Sequence, residues 1–574
     1  MRPHPRLALI VACLITACAT AASAATIYVD TKGSDATATG APDAPFAYVQ
    51  KGLDAARPGD TVRVRPGVYR ERVSFPRSGE AGRPIVLEGE PGTVLDGGVR
   101  VAGWEPDPKM GNAGVYRKKT SDFPFQPYHM TWNGRTVMRL SQANETAREA
   151  AAYFGRFTAP PDDPSWDGLE ALFGSRDEFT YVRFRNKADA NRQDLAFGRP
   201  MNKDDAGVVN VVGRRFVVVR GLTVRNGGVG VNVCGGSSDV IVEDNAVANG
   251  RASILVNGHG APPACHRVTI RRNKVTLNYV ADMSPRAGHH GYLWRQFKEW
   301  GDKDHRAIYL YYAGDDCAVH DNEIYQHWGG IQDSAGGETR EQYASYARRL
   351  KVYNNVLRDI TDDALEPTGG EIDAEWHDNV STDALIHLRL KDVKAGPMYV
   401  YRNRFRETPR EGRGGGRARD IYYFAGSDGL IYLYHNTFAT ETGLVMGSTT
   451  PERGAPNVWF LNNVFSNNRF WVSTPRWKID AHAHFNWIGG EVTPGGWLAT
   501  DSVLAPGKRL WKPGDDSFRL TPDSPARAVG IDLSKPVTLD GKTFGPLPGM
   551  TPGYFPGPRP DAGAVQYRDG APSK

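Results

Sequence analysis

Val400-Tyr401-Arg402-Asn403-Arg404-Phe405, Leu433-Tyr434-His435-Asn436-Thr437-Phe438 and Phe460-Leu461-Asn462-Asn463-Val464-Phe465 are one pattern written three times. Each has an Asn with an apolar residue three positions before it and another two positions after. The pattern extends back through Asn379, Asn355, Asn322, Asn273 and Asn245, with Trp376, Val352, Val319, Ile270 and Val242 at the earlier apolar position. All but Asn379 keep the later one, at Leu357, Ile324, Val275 and Val247. A minimum spacing with variable excess is what a coil carrying loop insertions produces, and self-similarity on this scale means stacked repeats. The short, alternating, β-branched segments beside each Asn make the unit a set of strands rather than a helix pair. Equivalent residues of successive coils then lie roughly 4.8 Å apart, close enough for a column of Asn amides to donate and accept along the stack.

The expected fold is therefore all-β, a single-stranded parallel β-helix. The chain has 574 residues, with 64 Gly and 39 Pro, which suits a turn-rich solenoid that lengthens without new cores. A net charge of +5 is modest, fitting an acidic partner or an ordinary soluble surface. No basic run interleaved with aromatics argues for nucleic acid, so no nucleic-acid partner is expected. Arg2 and Arg6 precede an apolar run from Leu7 to Ile15, and Ala22-Ser23-Ala24 offers a cleavage site. Residues 1–24 read as a signal peptide, placing the mature protein in the periplasm or outside the cell; Cys18 in Ile15-Thr16-Ala17-Cys18 offers a lipoprotein alternative. No later segment is apolar enough to span a bilayer. Cys234, Cys265 and Cys317 leave room for one disulfide whose pairing the sequence does not specify. The chain is expected to act as a monomer.

Residues 25–100 hold an N-terminal cap and the first coils. Phe46, Val49, Leu53 and Ala56 line one face of a short helix stopped by Pro58-Gly59, placed to cover an otherwise unpaired solenoid end. Residues 101–200 interrupt the repeat and read as an insertion or small side domain. Residues 201–474 form the main helix and 475–574 the closing segment.

Aligning coils on the Asn ladder aligns a second strand in each: Ile308-Tyr309-Leu310-Tyr311, Ile331-Gln332-Asp333-Ser334, Leu365-Glu366-Pro367-Thr368, Ile386-His387-Leu388-Arg389 and Ile421-Tyr422-Tyr423-Phe424. Alternation turns Tyr309, Gln332, Glu366, His387 and Tyr422 outward in one column. Tyr311, Ser334, Thr368, Arg389 and Phe424 form a second, with Lys391 one step beyond. Aromatic, acidic and basic side chains in one groove point to a sugar. Thr361-Asp362-Asp363-Ala364-Leu365-Glu366 is the sharpest motif, because three carboxylates this close cannot all ionise freely. A raised carboxyl beside an ionised one is what acid/base chemistry near neutral pH requires. Asp362, Asp363, Glu366, His387 and Lys391 are the expected catalytic residues. Tyr309, Tyr311, Gln332, Asp333, Arg389, Tyr422, His290 and Trp294 are the expected substrate contacts, the last two from a loop at 281–305.

Gly59-Asp60-Thr61-Val62, Pro66-Gly67-Val68-Tyr69 and the Asn ladder resemble the pectin-lyase-like superfamily of right-handed parallel β-helix proteins. So does the closing stretch Phe518-Arg519-Leu520-Thr521-Pro522-Asp523-Ser524-Pro525-Ala526, with Asp561-Ala562-Gly563-Ala564-Val565. Two of its families imply different chemistry. Asp362-Asp363, His387 and Arg389-Leu390-Lys391 resemble the polygalacturonase set, which implies hydrolysis. Gly329-Gly330 stands where that family has a further Asp, and its His and Arg-x-Lys lie on separate segments rather than on one strand. Asp362-Asp363-x-x-Glu366 with Lys391 is similar to a pectate-lyase set, which implies β-elimination with Ca2+. The further Asp expected one coil earlier in that set is also absent. The reading is an exported polysaccharide-degrading glycoside hydrolase, with a polysaccharide lyase as the alternative and a non-catalytic glycan-binding solenoid as the third. No cofactor is expected for hydrolysis, and the groove suits a polysaccharide or oligosaccharide, with Arg389 favouring an acidic one.

Overall fold

The computed structural model describes residues 24–568 apart from 202–204, 258–263, 302–304, 335–346, 391–392, 394, 408–418, 424–428, 441–444, 447–454, 467–468, 473–478, 490, 493–500, 506–507, 509 and 511–516. At a few flanking positions, 419–423 among them, it describes the backbone alone. The proposed signal segment and Lys391 thus fall outside the described residues.

The chain winds into a parallel β-helix. One face is a 13-stranded sheet running from Thr26–Val29 through Val217-containing Arg215–Arg220 to Ile479–His484, every pairing parallel. The remaining strands of the β-helix form a second, 21-stranded parallel sheet, which includes the bent segments Thr223–Cys234, Ala246–Asn257, Val356–Glu366 and Val380–Leu390. A single apolar core runs inside from Ile27 to Ile488. The helix Val49–Ala55 buries Val49 and Leu53 over the first coil. At Gly52 an added Cβ would lie 2.8 Å from Val29 and Val62 methyls, so the helix seats this closely because that residue has no side chain.

The Asn column is continuous. Asn245 donates from Nδ2 to Asn273 Oδ1 at 3.0 Å, and the same bond recurs at every step to Asn463. It then continues one coil further, from Asn463 to Asn486 at 3.0 Å. Asn486 escapes the sequence pattern because the apolar residue three positions before it is only Ala483. Each Oδ1 also accepts the backbone N–H of the preceding ladder Asn, as Asn355 does from Asn322 at 3.1 Å. The residue before each ladder Asn is left-handed: Asp244, Arg272, Asp321, Asn354, Asp378, Arg402, His435, Asn462 and Phe485 all have φ between 53° and 57°. That conformation costs a non-glycine residue free energy. The ladder hydrogen bonds at the same corner offset it.

Residues 101–200 build a separate layer against the solenoid. A five-stranded sheet contains Met138–Leu140, Ala171–Arg176, Phe179–Phe184, Val115–Lys119 and Glu105–Pro106, and a three-stranded one contains His129–Trp132. Its core includes Trp166, Phe173 and Phe184, and it is shared with Leu293, Phe297 and Trp300 of the helix His290–Trp300 and with Trp328 of the solenoid. The loop expected at 281–305 therefore carries a helix, His290–Trp300, wedged between side region and β-helix. Near the other end, Leu533, Leu547 and Met550 pack on Tyr401, Tyr434 and Trp459. Cys234, Cys265 and Cys317 are buried thiols with no disulfide among the described residues. Burial pushes Cys265 up to about 11 and Cys317 to about 12.

Candidate active site

The register of the second sheet decides which side chains meet. Tyr309 pairs with Gln332, Gln332 with Glu366, and Arg389 with Tyr422. Leu365 pairs with Leu388, so Arg389, not His387, stands beside Glu366. The outer column is Tyr309, Gln332, Glu366, Arg389, Tyr422; Tyr422 is placed by its backbone, its side chain lying outside the described residues.

His387 corrects the sequence reading. It is fully buried, its Nδ1 is 2.8 Å from Ser381 Oγ, and its ring packs 5.7 Å from Phe405 of the core. Burial depresses its pKa to about 3. The alignment failed by two residues because alternation is indifferent to a two-residue slip. Such a slip explains only the wrong neighbour across coils. His387 is buried because it falls opposite Ala364, at a corner where consecutive residues turn inward.

A second irregularity also hides from alternation. Ala364 and Leu365 are consecutive yet both join the interior core, as do Ala307 and Ile308 one coil pair earlier. Parity therefore flips at this corner. Asp363 and Arg306, which share parity with inward Leu365 and Ile308, instead join the outer cluster.

Asp333 is the opposite correction. It lies in register with inward Leu310 and is 1% exposed, so it is not a substrate contact. Its interior neighbour is Glu371, whose Oε2 accepts from Trp376 Nε1 at 3.2 Å. Burial drives Asp333 up to about 7 against the opposing hydrogen bond with Glu371, while burial and then the charge of Asp333 push Glu371 well above the usual carboxylate range. The native state thus keeps a proton that the unfolded chain releases above its ordinary pKa near 4. Stability from this source is present at low pH and is lost as pH rises toward 7. Asp333→Asn is expected to flatten that loss; melting temperatures compared between pH 5 and pH 8 check it.

The site itself gathers Asp362, Asp363, Glu366, Arg306 and Arg389. Arg389 Nη1 donates to Asp363 Oδ2 at 2.6 Å, and its Nε lies 3.7 Å from Glu366 Oε1. Arg306 Nη2 lies 3.6 Å from Glu366 Oε2, and its Nε donates to Gln332 Oε1. Asp363 Oδ1 is buried with no hydrogen-bond partner among the described residues. Burial first, then the charges of Asp362 and Glu366, push Asp363 up to about 7 against the opposing pull of Arg389. Tyr309 and Tyr311 stack at 5.4 Å on the same face.

His290 and Trp294 reach this turn, but as a brace. Spaced four residues apart with Lys298, they lie along one stripe of the helix. His290 Nε2 is 3.0 Å from Thr361 O, Trp294 Nε1 donates to Asp362 Oδ1 at 3.0 Å, and Lys298 Nζ donates to Asp362 Oδ2 at 2.9 Å. Thr361 Oγ1 in turn donates to Met283 O at 2.7 Å. Lys298 and Arg306 were missed in sequence. The i, i+4, i+8 spacing of His290, Trp294 and Lys298 was the available signal for the first. Among the described residues no group of three or more His, Cys, Asp or Glu is arranged to hold a metal ion.

The chain matches no protein-family model and no curated protein sequence. Among solved structures it is similar to a complex of XylC with xylose at 16% identity, covering 84% of this chain and 82% of that one, with a TM-score of 0.48. It is also similar to pectate lyase Pel9A, at 12% identity over 95% and 97% of the two chains, TM-score 0.40. A third is an alginate lyase from Paenibacillus sp. str. FPU-7, at 10% identity over 76% and 97%, TM-score 0.29. The likeness is one of fold. Among the described residues no helix is long and apolar enough to cross a membrane.

Proposed function

We propose that this protein is an exported glycoside hydrolase that cleaves a polysaccharide in the groove over Glu366 and Arg389. The observation carrying this reading is Asp363: a carboxyl with a pKa of about 7, one oxygen held by Arg389 and the other without a partner among the described residues. Such a group is half-protonated near neutral pH and can give its proton to a leaving glycosidic oxygen. Glu366, between two guanidiniums, is the second carboxylate that hydrolysis needs, activating water or attacking directly. Arg306 and Arg389 orient the sugar, and Tyr309 and Tyr311 offer a stacking edge to it.

The same two arginines favour a second reading. They could fork onto the carboxylate of a uronate and support β-elimination, with Lys391 as base. Ca2+ in that reading would compete with Lys298 for Asp362. A panel of soluble glycans separates the cases. Hydrolysis yields new reducing ends without ultraviolet absorbance, whereas elimination yields the absorbance of an unsaturated uronate. Neither product on any glycan would favour a binding solenoid.

The brace makes its own prediction. Lys298→Met removes the cation that offsets Asp362, so Asp363 sits beside a less compensated negative charge and holds its proton to higher pH. The alkaline limb of kcat/KM should move upward, and Lys298→Arg should restore it. A limb that stays put while only KM changes would dismiss the brace as an electrostatic device.

A further inference from the structure

Away from the carboxylate groove, the side region carries a second concave surface with different chemistry. Its five-stranded sheet pairs Arg117 with Tyr181 and Lys119 with Phe179 on adjacent antiparallel strands, so alternate side chains of both strands share one face. The helix Ala150–Thr158 lays Phe154 against Tyr181 at 5.4 Å, edge to face. The turn after Glu105–Pro106 brings Asp107 and Met110 to the same edge, held because Asp107 Oδ1 accepts from the Lys109 and Met110 backbone N–H groups at 2.9 Å. Together they enclose a cavity of about 640 Å³.

Its walls are mostly apolar, with a few polar groups converging on them, the usual make-up of a small-molecule site. Phe154, Phe179 and Met110 supply the apolar surface. Arg117 lies over the Phe179 ring at 4.3 Å with Nη1 3.5 Å from Asp107 Oδ2, which fixes the guanidinium in place. Its Nε is nevertheless buried without a hydrogen-bond partner among the described residues. The cavity holds no nucleophile beside a base, so its chemistry is recognition. Aromatic surface flanked by a carboxylate, a guanidinium and a phenol hydroxyl suits a pyranose or furanose, whose C–H faces pack on rings while its hydroxyls donate and accept. The charged lining is two cations, Lys109 and Arg117, against three carboxylates, Asp107, Asp177 and Glu178. That balance disfavours a uronate or a sulfated sugar.

We propose that this cavity is an accessory binding site for a neutral sugar unit of a glycan chain, separate from the groove on the β-helix. It would tether the protein to polymer whatever reaction the groove performs, so it does not rest on the hydrolase reading. Native-gel affinity electrophoresis of the full chain, in an Asp363→Asn background that spares the probe, tests it with soluble β-glucan, arabinoxylan and polygalacturonate. At least one neutral polymer should retard the protein. Phe179→Ala should weaken the apparent affinity for that polymer by about 5- to 10-fold, and Tyr181→Phe, which removes one hydroxyl and keeps the ring, should weaken it as well. Tyr181→Phe carries the test if the alanine variant fails to fold. Retardation equal in the parent and both variants, retardation by no neutral polymer, or retardation by polygalacturonate alone that salt abolishes would each overturn the proposal.

Discussion

Asp363→Asn is expected to lower kcat/KM for glycan cleavage by about 10²–10⁴-fold, the range for losing a positioned general acid. The amide keeps the size of the side chain and can still meet Arg389, so stability should suffer little from lost volume. The pH profile carries the sharper signature. With its pKa near 7, wild-type Asp363 loses its proton over the neutral range. Activity requires the protonated form, so kcat/KM should fall as pH rises above about 7, and the residual activity of the variant should lack that limb. A profile in which Asp363→Asn retains full activity, or keeps the same alkaline limb, would remove Asp363 from the chemistry. Because kcat/KM reports groups of the free enzyme, the comparison addresses the carboxyl as the structure shows it.

Asn355→Ala is expected to be the most damaging of the structural substitutions. In the native column Asn355 Nδ2 donates to Val319 O and Asn379 Oδ1, both at 2.9 Å, while its Oδ1 accepts from Asn322 N at 3.1 Å and Asn322 Nδ2 at 2.9 Å. Alanine supplies none of these bonds. Asn322 N and Val319 O are then left buried without those partners, each costing about 1–3 kcal/mol. A total loss of about 2–6 kcal/mol follows, a large fraction of the stability of an ordinary domain. Asn245→Ala provides the internal comparison. It begins the column: its Nδ2 likewise donates to Val219 O and Asn273 Oδ1, but among the described residues its Oδ1 accepts from Leu222 N alone, at 3.1 Å, so one hydrogen bond fewer is lost. Denaturant midpoints should therefore fall further for Asn355→Ala than for Asn245→Ala. A denaturant midpoint left unchanged by Asn355→Ala would mean the column is ornament rather than support.

These two residues also show how unevenly sequence speaks. Asn355 announces itself, because an amide that must bond both its neighbours in the stack can be nothing but Asn at that corner, and the apolar flanks that bury it are local. Arg389 could be seen as polar and outward, but not as the partner of Asp363. The offset between adjacent coils changes inside one strand pair: Ile360 pairs with Ala384, yet Asp363 pairs with Ile386. No local pattern records that irregularity. His387 looked equivalent to Glu366 for the same reason and proved to be core. Lys298 lies 64 residues before the carboxylate it neutralises, on a helix whose partner face exists only after the side region has docked.

The amino-acid sequence alone determined the winding: a repeated Asn with buried flanks admits one economical packing, coils stacked in register along an amide column. Which side chains form the site was decided only in three dimensions. At the corner two successive residues turn inward, so period-two alternation loses its parity, and Asp363, Arg306 and Arg389 come together while His387 is taken into the core.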